Sequence, residues 1–173
     1  MVKLYTRSYD KNIIKEINPN NIFSSKEHQT ASEKHYEGLF DSKEDYINHF
    51  FLENPKAAEP IPLIINFINY HNLENIFSLG SGTSIIEFLI SNSISNNRNF
   101  YAFDFDSFLI SKSQKFLISK SNNLKILKFD FFENSFNEIK ADFSKPGLVI
   151  FFGSSYVMDH DQYVELLSGL KKC

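Results

Sequence analysis

From residue 75 onward, short apolar runs alternate with longer amphipathic stretches, and this rhythm predicts strands at 76–79, 100–105, 124–129 and 148–152. Helices are expected between them at 84–94 and 107–120, with a shorter one near 135–140 and a last one at 161–171. In the last, Tyr163, Leu166, Leu167 and Leu170 fall at i, i+3, i+4 and i+7, one apolar face for packing on a sheet. Right-handed crossovers turn such a strand–helix series into an α/β fold with a doubly wound, mainly parallel sheet.

The strands differ in how they are guarded. The run at 124–129 carries Lys125 and Lys128, as an edge strand should, whereas 148–152 has neither charge nor proline and reads as buried on both faces. It therefore wants a neighbour on each side, yet the sequence continues for one helix more. The expectation is a sheet that is incomplete, or completed through the edge of this fourth strand by a second copy or a partner chain. Before residue 60 the chain is polar with scattered aromatics and shows no clear strand pattern, so 1–59 is read as a helical N-terminal extension or lid and 60–173 as the α/β domain. Ser42 followed by Asp45 predicts a helix over 43–53 with Tyr46, Phe50 and Phe51 facing a core. The segment 55–62 breaks it, and Pro62 suits the first turn of another helix running to Tyr70.

Composition narrows the class. With 173 residues, 42% of them apolar and 19 phenylalanines, the chain can bury a real core in one domain. A net charge of −3 shows no basic excess that would draw it to nucleic acid or an anionic membrane. The apolar runs are too short to span a bilayer, and MVKLYTRSYD lacks the continuous apolar stretch of a signal peptide. Cys173 is the single cysteine, so no intramolecular disulfide or cysteine-rich metal site can form. A reducing cytoplasm fits these features.

The residues that could carry chemistry lie at strand ends. The stretch NIFSLGSGTS runs from a strand into a glycine turn, Gly80-Ser81-Gly82-Thr83, where the backbone can approach a ligand closely. Asp104 ends the second strand about twenty residues later, a spacing suited to accepting hydrogen bonds from ribose hydroxyls. Asp106 or Ser107 is better placed to cap the next helix, which leaves Asp104 free. The third strand ends Phe129-Asp130-Phe131 and the fourth ends Phe152-Gly153-Ser154-Ser155. Ligands bind outside the carboxyl ends of such strands, so the four features converge on one crevice. A dinucleotide fingerprint would need glycine at position 85, which is Ile85. Asp159-His160-Asp161 offers metal-ligand types, but Asp159 with Gln162 reads as a helix cap, and no metal is expected. No phosphate-cradling GxxxxGK or hydrolytic triad is present.

These segments together resemble the class I S-adenosylmethionine (SAM)-dependent methyltransferases. FSLGSGTS matches the glycine motif, YAFDFDS the acidic loop, LKILKFDFFE the adenine-side acid, and LVIFFGSSYVMDHDQYVELLSGLKK the fourth strand with its helix, in family order over 76–172. The resemblance implies a Rossmann-like sheet in the strand order 3-2-1-4, counted from the strand at 76–79, and SAM as cofactor. It places Gly80, Ser81 and Gly82, with Thr83 beside them, along the methionine part, Asp104 on the ribose and Phe105 near the adenine. Asp130 would accept from the adenine amino group with Phe131 alongside, and Gly153 and Ser154 would flank the methyl donor. The chain departs from the family pattern at Ser78, where an acid is usual, and at Ser84, where a third glycine is usual. The implied activity is methyl transfer to a small or medium acceptor, with Tyr156 or His160 as general base for a hydroxyl acceptor. The alternative is a methyltransferase-like module that binds cofactor or a partner without catalysis, and an NAD-dependent oxidoreductase is a weaker third reading.

Overall fold

The computed structural model describes residues 42–118, 123–130 and 145–151, single residues 34, 164, 167 and 168, and the backbone of 4–7 and 14–17. The elements are β1 (Leu4–Arg7), β2 (Ile14–Ile17), α1 (Lys43–Glu53), α2 (Ile61–Tyr70), β3 (Asn75–Leu79), α3 (Ile85–Ser93), β4 (Asn99–Asp104), α4 (Ser107–Leu117), β5 (Leu124–Lys128) and β6 (Gly147–Phe151). Strands β5-β4-β3-β6 form a parallel sheet in that order, which is the predicted 3-2-1-4. Its register pairs Ile76 with Phe100 on one side and Leu148 on the other, and Phe100 with Leu124. The strand order reverses next to β3, which puts a topological switch point at the start of the glycine turn.

Local chemistry explains where the helices begin. Ser42 caps α1 by accepting from the Asp45 amide at 3.0 Å. Pro62 sits in the first turn of α2, where its missing N–H costs nothing. Asp106 caps α4, its Oδ1 accepting from the Phe108 and Leu109 amides at 2.9 and 3.2 Å, as expected for that residue. Helices α1 to α4 contribute to one core on one sheet face: Tyr46, Ile68, Ile85, Ile90, Ile110 and Leu117 meet Ile76, Phe100, Ala102, Ile126 and Ile150. Truncating a fully buried member such as Ile90 to alanine would cost about 2–5 kcal/mol. Alternate strand positions carry a row of rings on the other face: Phe77 stacks on Tyr101 at 5.3 Å, Tyr101 on Phe103 at 6.3 Å, and Phe103 meets Phe129 edge-on at 5.6 Å.

Three expectations need adjustment. The N-terminal segment is not helical throughout, because β1 and β2 pair antiparallel with Leu4 opposite Ile17. Four-residue strands interrupted by charges are too short to show a period. Strand β6 is not buried on both faces: Ile150 is buried, but Leu148, Val149 and Phe151 are half-buried and Gly147 is exposed. Among the described residues it pairs only with β3, so apolar composition there reflects partial cover. The helix expected near 135–140 lies outside the described residues. Of the one expected at 161–171, Val164, Leu167 and Ser168 are described and helical, and Leu167 is 44% exposed, so at that position the predicted apolar face is not covered. No described helix is long and apolar enough to cross a membrane.

Candidate functional site

The turn after β3 is built from left-handed backbone. Gly80 has φ of 70° and Gly82 of 51°, conformations that glycine adopts without steric cost. Ser84 takes the same region with φ of 52°. A serine there costs about 1–2 kcal/mol, so the neighbouring bonds must hold it. They do so densely. The Gly80 and Ser81 amides donate to the Phe103 carbonyl at 2.8 and 2.9 Å, and the Ser84 amide donates to the Ser81 carbonyl at 2.8 Å. The Ser81 and Ser84 hydroxyls are 2.9 Å apart, and the Gly82 amide donates to Asp104 Oδ2 at 2.7 Å. Gly80, Ser81 and Gly82 stay half-exposed, and a Cβ on Gly82 would meet nothing within 4 Å, so this side of the turn is open.

Carboxylates gather beneath it. Asp104 is buried, its Oδ1 accepting from the Asp106 amide at 2.9 Å while Oδ2 takes the Gly82 amide. Burial pushes its carboxyl up to about 6, although bonds from the Asp106 and Gly82 amides oppose the rise. Glu87, in the first turn of α3, points inward and accepts from the Ser78 hydroxyl at 2.6 Å. Burial pushes it up to about 7 against that bond, with the charge of Asp104 adding to the rise. Asp106 is fully buried too, and its Oδ2 has no partner among the described residues. Asp130 lies buried just past the end of β5.

Of the sequence-predicted residues, Gly80, Ser81, Gly82, Asp104 and Asp130 all lie at the carboxyl ends of β3, β4 and β5, with Phe105 half-buried beside Asp104. Asp104 is not free at its strand end: it pins the turn, although each carboxylate oxygen keeps a second lone pair. Thr83 is buried, and its carbonyl is turned to Tyr46 and Ser113 rather than to the open side. Phe131, Gly153, Ser154, Tyr156 and His160 lie outside the described residues. Sequence reading missed Glu87, whose carboxylate accepts from the Ser78 hydroxyl. An acid within an otherwise apolar helix start, IIEFLI, was the available signal.

This arrangement selects ligand charge. A phosphate-binding turn offers free amides to an anion, whereas here the amides of Gly80, Ser81, Gly82 and Ser84 are spent inside the protein. Asp104, raised only to about 6 and so ionised at neutral pH, adds negative charge beneath the turn, which suits a neutral or cationic ligand and disfavours a pyrophosphate.

Comparison with known proteins supplies a likeness of fold. The chain is similar to a Staphylococcus aureus protein described as a caffeoyl-CoA O-methyltransferase, at TM-score 0.57 and 15% identity over 83% of this chain and 68% of that one. It is also similar to magnesium protoporphyrin IX methyltransferase from Synechocystis PCC 6803, solved with bound SAM, at TM-score 0.52 and 10% identity over 88% and 68%. The fold is that of the class I SAM-dependent methyltransferases. At such identities the likeness is one of fold. No family model matches the chain, and no curated protein matches it.

Proposed function

We propose that the chain binds SAM at the glycine turn and transfers its methyl group to a small or medium acceptor. One observation carries the reading: a half-exposed turn whose Gly80, Ser81 and Gly82 amides are internally bonded and whose floor is Asp104 and Glu87, a site that favours a nucleoside carrying positive charge over one carrying phosphates. The donor sulfonium supplies the chemistry: an acceptor lone pair bonds the methyl carbon, the C–S bond breaks with its electrons staying on sulfur, and the acceptor's proton passes to a base or water. The protein's part is to orient the acceptor and exclude water, which can supply several kcal/mol without a covalent intermediate.

Gly80, Ser81 and Gly82 would line the ligand along the open side of the turn. Asp104 would reach the ribose with its remaining lone pairs, while Phe105 and Asp130 would receive the adenine. Gly153 and Ser154 would flank the methyl group, and Tyr156 or His160 would take the proton from a hydroxyl acceptor. A strand from a second copy, added along the outer edge of β6, belongs to the same reading, and light scattering should then show dimers.

Isothermal titration with SAM and with its demethylated product, S-adenosylhomocysteine (SAH), tests the reading. Micromolar binding of both, and none of NAD, is expected. Failure of both ligands to bind would overturn it. Binding without turnover across a panel of hydroxyl, amine and thiol acceptors would point instead to a non-catalytic cofactor-binding module.

A further inference from the structure

The glycine turn is gripped from behind by two residues remote from it in sequence. The Thr83 carbonyl accepts from the Tyr46 hydroxyl of α1 at 2.9 Å and from the Ser113 hydroxyl of α4 at 2.9 Å, and the two hydroxyls lie 2.8 Å apart. Two hydroxyl hydrogens thus serve three short contacts, a shared triangle within a fully buried space. Thr83 C=O and Ser84 N–H are the two ends of one peptide plane, and the other end donates to Ser81. The orientation of that plane sets the left-handed φ of Ser84, the strained residue of the turn. One hydroxyl would satisfy the carbonyl, whereas two from different helices also fix its direction. Packing alone does not call for a hydroxyl at position 46, because the ring contact with Phe116, at 5.5 Å between centroids, needs only the ring.

We propose that Tyr46 is a positioning residue for ligand binding: through the Thr83 carbonyl it couples the seating of the N-terminal helix α1 to the shape of the turn that receives the nucleoside cofactor. The inference rests on the SAM reading above. The coupling is reciprocal, so ligand at the turn tightens α1, and loosening α1 weakens the ligand by the same factor.

The test compares the wild type with Tyr46→Phe, which keeps the ring and removes the hydroxyl, and with Ile68→Val, a fully buried α2 substitution away from the turn. Two quantities are measured: SAH affinity by titration and amide hydrogen exchange at Gly82 and Ser84. Tyr46→Phe should weaken SAH by about fivefold, the size expected for one buried hydrogen bond, and speed exchange at Ser84. Ile68→Val should lower overall stability comparably while leaving both quantities unchanged. Equal affinity in Tyr46→Phe and wild type, or equal losses in both variants, would overturn the proposal by reducing Tyr46 to a packing residue. If the wild type binds neither SAM nor SAH, the cofactor reading fails, and exchange still decides the positioning claim. Faster exchange at Ser84 in Tyr46→Phe alone upholds it, and unchanged exchange refutes it.

Discussion

At the end of the sheet where its strands begin, polar groups answer one another. Asn99 donates to Asn75 at 3.2 Å, Arg98 reaches Asn69, Asn123 donates to the Ser91 carbonyl at 3.2 Å, and exposed Lys145 meets Glu74 at 2.6 Å. At the end where the strands finish, buried carboxylates crowd together: Glu87, Asp104 and Asp106 around the glycine turn, with two left-handed glycines and a left-handed serine above them. Neutral amides can be buried cheaply once paired, whereas a buried carboxylate is costly to ionise even with hydrogen bonds. The expensive arrangement stands at the carboxyl ends of the strands, where open α/β sheets bind ligands and where the proposed cofactor site lies.

That contrast can be broken most directly by paired substitutions. Asp104→Ala removes the acceptor of two backbone amides and should weaken SAH by more than about 100-fold, as expected when buried donors lose their partner at a binding turn. Asn75→Ala, at the other end, should cost about 1–3 kcal/mol of stability and leave SAH affinity within about twofold. Equal effects on affinity, read by titration, would dissolve the distinction.

The carboxylates also predict the pH profile. Glu87 and Asp104 bind protons more tightly folded than unfolded, since burial lifts them from 4.5 and 3.8 to about 7 and about 6. Their contribution to stability is therefore fully present below about pH 4 and is lost as pH rises through about 6 and 7. Glu87→Gln keeps an acceptor for Ser78 and removes the charge, so at pH 8 it should be the more stable protein by on the order of 3 kcal/mol. Urea unfolding at pH 5 and pH 8 measures this, and an unchanged profile would mean that Glu87 is not a costly buried acid.

Smaller effects sharpen the picture. Ser84→Gly should gain about 1 kcal/mol by relieving the left-handed strain, less what the contact with the Ser81 hydroxyl contributes, and a thermal melt suffices to see it. Lys145→Ala should change stability by less than about 1 kcal/mol, because both partners are exposed and screened.

Much of this was legible in the chain. The four parallel strands, the Ser42 and Asp106 caps, and the core-facing role of Tyr46 follow from short-range pattern, crossover handedness and capping chemistry, and the strand order is the one the family resemblance implies. The pairing of β1 with β2 was not, since two four-residue strands are too short to show a period. The half-burial of β6 was missed because an apolar run does not say how many neighbours it has. At the site, sequence located the glycines and Asp104 but misjudged what Asp104 does, and it passed over Glu87 altogether. Whether a carboxylate is free or pinned depends on which amides the fold brings to it.

By itself, then, the sequence determined the alternation of elements, a parallel doubly wound sheet, and the glycine turn with an acid after the next strand. Local propensity and hydrophobic period act over a few residues, and right-handed crossovers make the strands they join parallel. Tertiary structure alone decided that Asp104 holds the Gly82 amide, that Glu87 returns a carboxylate to Ser78, and that Tyr46 and Ser113 meet at the Thr83 carbonyl. Those contacts join residues nine to thirty-seven positions apart. The partners of a buried polar group follow from how helices stack on the sheet, and no local pattern encodes that.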